Sequence, residues 1–196
     1  MTKLPTGRKN NYAFKIEAPR SLVDEIQRQT LVGRWQRRED YDPIQFDGLV
    51  ARLREEIQAI LQAQGYYRAT TSVESLPGRV TVKVEPGPQA TVSKTSLRIT
   101  GPAADNPKLM SQFESIPDLR QGQPFISSAW QGGKRSVVDA LNRQGYLRAE
   151  VVSSEARVDV AGSTVSLDLV VDSGPRIAFG NLEITGLQRY DRGLIE

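Results

Sequence analysis

The amino-acid sequence predicts an α+β protein of two tandem β-α-α-β-β units, each with two helices on one face of a three-stranded mixed sheet. Two repeated blocks and a repeated order of hydrophobic patterns lead to this prediction. The block from Gln64 to Ala69 recurs from Gln144 to Ala149 with one change, and Val84 to Pro88 is echoed by Val171 to Pro175. Both blocks come in the same order, with spacings of 80 and 87 residues. Such self-similarity indicates a repeated, domain-sized structural unit.

The first unit is predicted to open with a strand and a short helix. Apolar and polar residues alternate from Tyr12 to Glu17, which is the period of a half-buried strand, and Pro19 ends it. Ser21 is predicted to be the N-cap of the helix that follows. The apolar side of this helix consists of Leu22, Val23 and Ile26.

A long amphipathic helix and a β-hairpin complete the first unit. After a turn region at Gly33, apolar residues recur at every third or fourth position from Phe46 to Leu61, the spacing of one helix face. Gly65 is predicted to end this helix, because glycine has no Cβ to clash in the left-handed conformation of a helix cap. Alternating residues from Ala69 to Val73 and from Val80 to Val84 then predict two strands joined by a Pro-Gly turn.

The second unit repeats this order. A strand is predicted from Val92 to Thr100, and the next helix starts with Asn106-Pro107, a capping residue followed by proline at the first helical position. A second helix is predicted to start at Ser127 or Ser128 and to end at Gly145. The hairpin strands are predicted over Arg148 to Ser154 and Thr164 to Val171.

The repeat also predicts where the units begin and end. Residues 1–10 carry no pattern of a folded element, and we expect them to be disordered. The predicted units span 11–87 and 88–174, and residues 175–196 are expected to supply the first strand of a truncated third unit. The apolar positions of that strand are Ile177, Phe179, Leu182 and Ile184.

Composition excludes most catalytic chemistry. The chain has no cysteine and no histidine, so neither a thiol nucleophile nor an imidazole base is present. Carboxylate pairs remain at 39–40, at 55–56 and at 168 and 172, and we expect them to be solvated charges. We therefore expect no enzyme, no cofactor and no metal ion. No apolar run approaches the roughly 18 residues needed for a helix to span a bilayer.

The charge pattern leaves one alternative function open. A pI of about 9.3 could suit a nucleic-acid-binding α/β protein. However, the basic residues are interspersed with acidic ones, and the run from Arg34 to Arg38 is followed at once by Glu39 and Asp40. Nucleic-acid binding would call for clustered cations and would weaken steeply with salt. We expect no nucleic-acid partner.

Aromatic residues near the glycine caps are predicted to pack the core. Tyr66, Tyr67 and Tyr146 follow Gly65 or Gly145 and are expected to pack helix ends onto the sheets. Trp35 and Trp130 are expected to fill cores or to pack between units.

The repeated unit resembles the POTRA domain of the Omp85 superfamily. The resemblance rests on the Gln-Gly-Tyr block at Gln64 and Gln144, on Lys134-Arg135, and on Asp172 to Arg176 with Phe179-Gly180. It is greatest to the TamA branch. It implies a periplasmic series of domains ahead of a β-barrel in the outer membrane of a Gram-negative bacterium. The implied partners are a TamB-like inner-membrane-anchored protein, nascent outer-membrane proteins or autotransporters, and the chain's own C-terminal barrel.

The resemblance also implies where partners bind. The second strand of each unit lies at a sheet edge, where unpaired backbone groups can pair with an extended chain. The candidate partner-binding residues are Arg68, Thr70, Ser72 and Glu74 in the first unit and Arg148, Glu150 and Val152 in the second. The predicted inter-domain turns are Gly87, Pro88, Gly174 and Pro175.

Two alternatives stay open at this point. The charged residues of these strands are also of the kind that protects an edge from pairing. The chain could also come from another Omp85 protein or from a two-partner secretion transporter.

Overall fold

The computed structural model describes residues 13–35, 43–76, 78–104, 107, 111, 116, 119–178 and 180. Over these residues the chain is α+β, as predicted, with two three-stranded mixed sheets that each carry helices. Each sheet has its own hydrophobic core.

The first sheet has its last strand in the middle. The strand order is β1-β3-β2, with β1 parallel and β2 antiparallel to β3. The elements are β1 (Ala13–Glu17), α1 (Arg20–Gln29), α2 (Leu31–Trp35), α3 (Pro43–Ala63), β2 (Thr70–Leu76) and β3 (Arg79–Glu85).

The second sheet has the same topology, in the order β4-β6-β5. Strand β4 pairs parallel with β6, and β5 pairs antiparallel with it. The elements are β4 (Thr91–Thr100), a 3-10 turn (Gly101–Ala103), α4 (Ser127–Arg143), β5 (Glu150–Asp159) and β6 (Thr164–Asp172). Ahead of α4, the described residues Pro107 and Ser111 are also helical.

The central strands bury every second residue, as their alternation predicts. In β6 the residues Val165, Leu167, Leu169 and Val171 are buried, and in β3 the residues Val80, Val82 and Val84 are buried. Complete burial of such a side chain stabilises the fold by about 1.5–3 kcal/mol. The helices cover these faces with Leu53, Ile57 and Leu61 of α3 and with Trp130, Val137 and Leu141 of α4.

The glycine caps also have the predicted geometry. Helix α3 ends at Ala63 and Gly65 follows with φ of +83°, while α4 ends at Arg143 and Gly145 has φ of +92°. Both values lie in the left-handed region that glycine tolerates at low cost.

Two predictions about the first unit were wrong. Ser21 lies inside α1, which starts at Arg20 after Pro19 and has no side-chain cap. Gly33 lies in a helix, α2, and not in a turn. There the Oγ1 of Thr30 accepts the N–H of Gly33 at 3.2 Å, and a Cβ at Gly33 would lie 2.2 Å from the Gln27 carbonyl oxygen. Glycine is therefore needed for the close approach of α1 and α2.

Several predicted features lie outside the described residues. They are residues 1–10, Tyr12, the predicted cap Asn106, the Glu39-Asp40 pair, and Phe179, Leu182 and Ile184 of the predicted third unit. The predicted boundaries at 87 and 174 stay predictions.

Candidate functional site at the β5 edge

Strand β5 is a long and exposed sheet edge. It spans ten residues, and all of them except Ala156 and Val158 are exposed. Its antiparallel partner β6 lies on one side only. An edge strand leaves alternate N–H and C=O groups unpaired, which makes it a template for another strand.

A β-bulge interrupts the start of this edge. The register with β6 shifts between Val151 and Ser153, so Val152 is the extra residue. Its side chain is 61% exposed, and Val151 beside it is also exposed. Bulges bend a strand and reorient its side chains. Two valines are thereby presented at the surface of a strand that is otherwise mostly polar.

Helix α4 forms the other wall of a groove along β5. The core side of α4 carries Trp130, Val137 and Leu141, and a second stripe at helical spacing faces the β5 edge. The groove is open, has a volume of about 370 Å³, and also involves Val151 of β5. The α4 residues that line it are Gln131, Lys134, Arg135, Val138 and Asp139.

Lys134 is held between the helix and the edge strand. Its Nζ donates a hydrogen bond to the Oγ of Ser154 at 3.2 Å and lies 5.6 Å from the centre of the Trp130 ring. Lys134 and Arg135 together give the groove two cations against the single carboxylate of Asp139. The groove thus combines apolar side chains with a net positive charge.

The opposite face of β5 carries an ion-pair cluster. Arg157 donates two hydrogen bonds to Glu155, at 2.8 and 2.7 Å, and lies 3.4 Å from the Oδ2 of Asp168 on β6. The hydrogen bonds from Arg157 hold the pKa of Glu155 below its ordinary value. Three charged side chains are therefore paired with one another on this face, away from the groove.

The β2 edge of the first sheet differs from the β5 edge. It spans seven residues, and its helix-side residue Val73 packs against the first core. The predicted site residues Thr70, Ser72 and Glu74 lie opposite Glu85, Lys83 and Thr81 of β3 and are exposed. The structure therefore places these three residues on the sheet face away from the helices.

The two predicted arginines lie next to the predicted turns. Arg68 precedes β2 and is exposed, and its carbonyl oxygen lies 3.5 Å from the position of a Cβ on Gly87. Arg148 precedes β5 in the same way, and its Cβ lies 3.0 Å from the position of a Cβ on Gly174. Both glycines have positive φ, +66° and +60°. The exposed Pro88 and Pro175 follow these glycines directly.

The described residues were also compared with the predictions on carboxylate pairs, metal sites and membrane-spanning helices. Glu56 accepts the N–H of Leu31 at 2.8 Å and is half-buried, so it caps helix α2 and is not the solvated charge that we predicted. The described part of the chain contains no group of three or more carboxylates that could hold a metal ion. It also contains no helix that is both long and apolar enough to cross a bilayer.

Comparison with known proteins identifies the fold. No protein-family model matches the sequence. Among solved structures, the chain is similar to POTRA3-5 of Haemophilus influenzae BamA, at 19% identity, a TM-score of 0.50, and coverage of 98% of this chain and 78% of that one. The chain has the fold of tandem POTRA domains. The predicted POTRA fold is thus confirmed, and the assignment to the Omp85 superfamily and to its TamA branch stays a prediction.

Other similar structures carry related names. POTRA1-3 of the periplasmic domain of Omp85 from Anabaena is 17% identical, with coverage of 81% and 59% and a TM-score of 0.44. CdiB from Escherichia coli is 12% identical, with coverage of 87% and 29% and a TM-score of 0.36.

The segment from Asp172 to Pro175, which contributed most to the POTRA resemblance, forms a turn after β6. The Oδ1 of Asp172 accepts the N–H of Gly174 at 2.6 Å, and the buried Oγ of Ser173 accepts the N–H of Ala103 at 3.2 Å. The N–H of Ser173 also donates to the carbonyl of Thr100 at 3.0 Å. These contacts tie the end of β6 to the end of β4, so the Asp172 and Ser173 side chains serve to cap backbone N–H groups.

The groove was not predicted from the sequence. Lys134 and Arg135 were named only among the residues that carry the POTRA resemblance. The sequence did contain a pattern that could have indicated it, since the groove residues of α4 recur at the spacing of one helix face. These residues are Gln131, Lys134, Arg135, Val138 and Asp139.

Proposed function

We propose that this chain is a periplasmic protein–protein interaction module of an outer-membrane β-barrel assembly or transport factor. In this proposal, extended chains are recruited by pairing with the sheet edges, chiefly with β5. The exposed ten-residue β5 edge beside the groove of α4 carries the proposal. The similarity to POTRA3-5 of Haemophilus influenzae BamA supports the cellular setting.

The groove indicates what kind of segment fits. A strand added to β5 would extend the sheet through backbone hydrogen bonds, and every second side chain would point toward α4. These side chains would meet the apolar groups of Val138 and Val151 and the cations of Lys134 and Arg135. An extended segment with small apolar residues and an acidic residue therefore matches the groove. Backbone pairing reads little side-chain identity, which suits a factor with many clients.

The β2 edge is the second candidate for the same activity. It offers Thr70, Ser72 and Glu74 on its exposed face, but its helix side is filled by core packing through Val73. We therefore assign it a weaker and less selective role than β5.

A peptide titration tests the proposal. The probe is a ten-residue peptide of alternating valine and threonine with one central glutamate, added to the ¹⁵N-labelled chain and followed by NMR. We expect shifts concentrated in the amides from Glu150 to Asp159 and in the α4 residues of the groove. Unshifted amides in both β5 and β2 would contradict edge pairing and would favour the view that edge charges protect these strands.

The matched control is the same peptide with N-methyl groups on alternate residues. N-methylation removes the backbone donors while side chains and charge are retained. Each lost hydrogen bond costs about 0.5–1.5 kcal/mol, so the loss of two or more should weaken binding by about tenfold or more. Equal binding of both peptides would show that the groove binds side chains without strand pairing.

A finer proposal concerns the partner. The resemblance of the Asp172 to Arg176 block to the TamA branch favours a TamB-like inner-membrane-anchored protein as the resident partner. Calorimetry with the purified terminal domain of such a partner tests this directly. If the NMR peptide binds and the TamB-like domain does not, the edge-pairing function stands and the branch assignment fails.

A further inference from the structure

The regular part of the β5 edge is short and lies between two irregular ends. The bulge at Val152 interrupts the register with β6, and over residues 153–159 the register is continuous. Val160 then begins the turn that leads into β6. Both flanking valines are exposed, at 61% for Val152 and 47% for Val160. The regular edge that another strand can join is therefore 153–159, and its central residue is Ala156.

The side chains of this segment divide between the two faces of the sheet. Ser154, Ala156 and Val158 lie opposite buried residues of β6 and therefore on the helix side. The residues that alternate with them lie on the outer face, and these are Ser153, Glu155, Arg157 and Asp159. On that face, a carboxylate and a guanidinium thus stand at equal distances on either side of Ala156.

This arrangement is complementary to its own reverse. In an antiparallel pair of two copies centred on Ala156, Glu155 of each copy lies directly opposite Arg157 of the other. Ser153 lies opposite Asp159, where a hydroxyl can donate to a carboxylate. Opposite charges on directly opposed residues stabilise an antiparallel pair. The small Ala156 side chains meet at the centre on the helix side, so no bulky group opposes the approach.

The charges also disfavour the neighbouring registers. A pair centred on Glu155 places two glutamates opposite each other, and a pair centred on Arg157 places two arginines opposite each other. Like charges in such positions are destabilising. In the register centred on Ala156, each exposed Val152 also comes next to Val160 of the other copy. The edge therefore specifies one register, with apolar contacts at both ends.

The start of β4, at the other edge of the same sheet, is covered by the chain itself. The N–H of Val92 donates to the carbonyl of Gln123, and the N–H of Gly122 donates to the carbonyl of Val92, both at 2.8 Å. The N–H of Phe125 donates to the carbonyl of Ala90 at the same distance. These bonds occupy backbone groups that an added strand would need. A contact of β5 with β5 uses the same patch on both copies, so it closes as a dimer.

We infer that two copies of this chain associate through β5 in an antiparallel pair centred on Ala156, which joins their second sheets into one six-stranded sheet. The occupant is a second copy because the charges about Ala156 complement their own reverse. A single strand pair is a smaller interface than most stable dimers have, so the association is weak and reversible. One consequence rests on the proposed function, since a client that pairs with β5 must displace the second copy.

Two complementary charge reversals test the inference. Glu155→Arg places an arginine opposite Arg157 of the other copy, and Arg157→Glu places a glutamate opposite Glu155. Each variant alone should self-associate about tenfold more weakly than the wild type or less, because like charges oppose each other across the pair. An equimolar mixture should form a heterodimer, since one copy then carries two cations and the other two anions at these positions.

Sedimentation equilibrium at low salt measures the mass of each sample. At up to about 1 mM protein, where even weak complexes are populated, the wild type should approach twice the monomer mass of 21.7 kDa. The control carries both substitutions, which keeps the net charge and restores opposite charges in reversed order, so it should dimerise again. A monomeric wild type, a mixture that stays monomeric, or single variants that dimerise like the wild type would each overturn the inference.

A cysteine on the two-fold axis tests the register. The chain has no cysteine of its own. In Ala156→Cys the two new side chains face each other, with Cβ atoms about 4.5–5.5 Å apart, which a small adjustment brings within disulfide reach. In the matched control Ser154→Cys they lie about 13 Å apart along the strands. Mild oxidation should link the first variant at least about tenfold faster, and equal rates would overturn the register.

The valine–threonine peptide separates this inference from the client proposal. A peptide that pairs with β5 should shift the wild type toward the monomer mass. If the peptide binds at β5 and the wild type is monomeric at every concentration, client pairing stands and the homodimer is wrong. If the charge variants behave as expected and the peptide leaves the dimer intact without binding, the homodimer stands and client pairing with β5 is wrong.

Discussion

The Nζ of Lys134 donates a hydrogen bond to the Oγ of Ser154 at 3.2 Å, which links helix α4 to the β5 edge across the groove. The same ammonium group lies 5.6 Å from the Trp130 ring centre, a geometry in which the ring attracts the cation. Because Trp130 is buried in the core, it gives Lys134 a fixed support. The positive charge of the groove is therefore held next to the strand that we propose to pair with clients.

Replacement of Lys134 by methionine removes this charge and keeps an apolar stem. We expect the affinity for the valine–threonine peptide with the central glutamate to fall by about two- to fivefold, since partly exposed ion pairs contribute up to about 1 kcal/mol. The stability to urea should change by less than about 0.5 kcal/mol, as is usual for surface substitutions. Calorimetry at low and high salt measures the effect, which should shrink as salt rises.

Lys94→Met provides the matched control. Lys94 is exposed on β4, at the other edge of the same sheet, so the variant makes the same chemical change away from the groove. An equal loss of affinity in both variants would indicate attraction to net charge and not recognition in the groove.

Alanine substitutions at three glycines distinguish two causes of destabilisation, which are the left-handed backbone conformation and a steric clash of the added Cβ. Gly122 has φ of +85° with open space around it, so Gly122→Ala should cost about 1–2 kcal/mol for the left-handed conformation alone. Gly65 also has positive φ, and a Cβ there would lie 2.5 Å from the carbonyl oxygen of Phe125. Gly65→Ala should therefore cost more than Gly122→Ala. Gly132, inside α4 and in open space, should gain about 0.8–1 kcal/mol as alanine.

Urea denaturation of the three variants measures these differences. The order of stability should be Gly132→Ala, then wild type, then Gly122→Ala, then Gly65→Ala. If Gly65→Ala is no less stable than Gly122→Ala, the close contact between Gly65 and the carbonyl oxygen of Phe125 is not present in solution.

The sequence was sufficient for features that depend on local periodicity. The alternation in β3 and β6 predicted which residues are buried, and the repeat predicted two units of the same topology. Gly65 and Gly145 could be predicted as helix caps because positive φ is a local property of the chain. The long α3 followed in the same way from the three- and four-residue spacing of its apolar face.

Features that depend on contacts between distant residues could not be predicted. Gly33 looked like a turn because its role depends on the Thr30 hydroxyl and on the backbone of Gln27, which meet only when α1 and α2 pack. Glu56 looked solvated because its partner, the N–H of Leu31, lies 25 residues away. The groove was missed for the same reason, since the position of the Lys134 face next to Val151 depends on how α4 packs on the sheet.

The hydrogen bonds of the Thr30 hydroxyl depend on the packing of α1 and α2, and their contribution to stability can be tested by substitution. Its side chain is buried, and its Oγ1 donates to the carbonyl of Ile26 at 2.7 Å and accepts the N–H of Gly33 at 3.2 Å. Thr30→Val keeps the shape and removes both bonds, which leaves a buried N–H without its acceptor. We expect a loss of about 1–3 kcal/mol in the free energy of unfolding.

Thr30→Ser is the matched variant, because it keeps the hydroxyl and removes a methyl group. It should cost roughly 0.8 kcal/mol, the value of one buried methyl-sized group. The prediction is wrong if the serine variant is destabilised as much as the valine variant, since the hydroxyl would then contribute nothing.

The Glu155–Arg157 pair on the outer face of β5 should give a measurable pH dependence. Hydrogen bonds from Arg157 lower the pKa of Glu155 from its ordinary value of 4.5. A lowered folded-state pKa means that the stabilising interaction is complete above about 4.5 and is lost as the pH falls through the lower, folded-state value. Both side chains are exposed, so the effect on stability is small and the carboxyl titration itself, followed by NMR, is the measurement.

In Arg157→Gln the pKa of Glu155 should rise toward 4.5, because the charged donor and its field are removed. Glu17 provides an internal control, since its pKa is lowered by a hydrogen bond from Lys15 on the first sheet. Its titration should not move in this variant. If the two glutamates shift together, the change reflects the net charge of the chain, whereas a shift of Glu155 alone identifies a local pair on the outer face of β5.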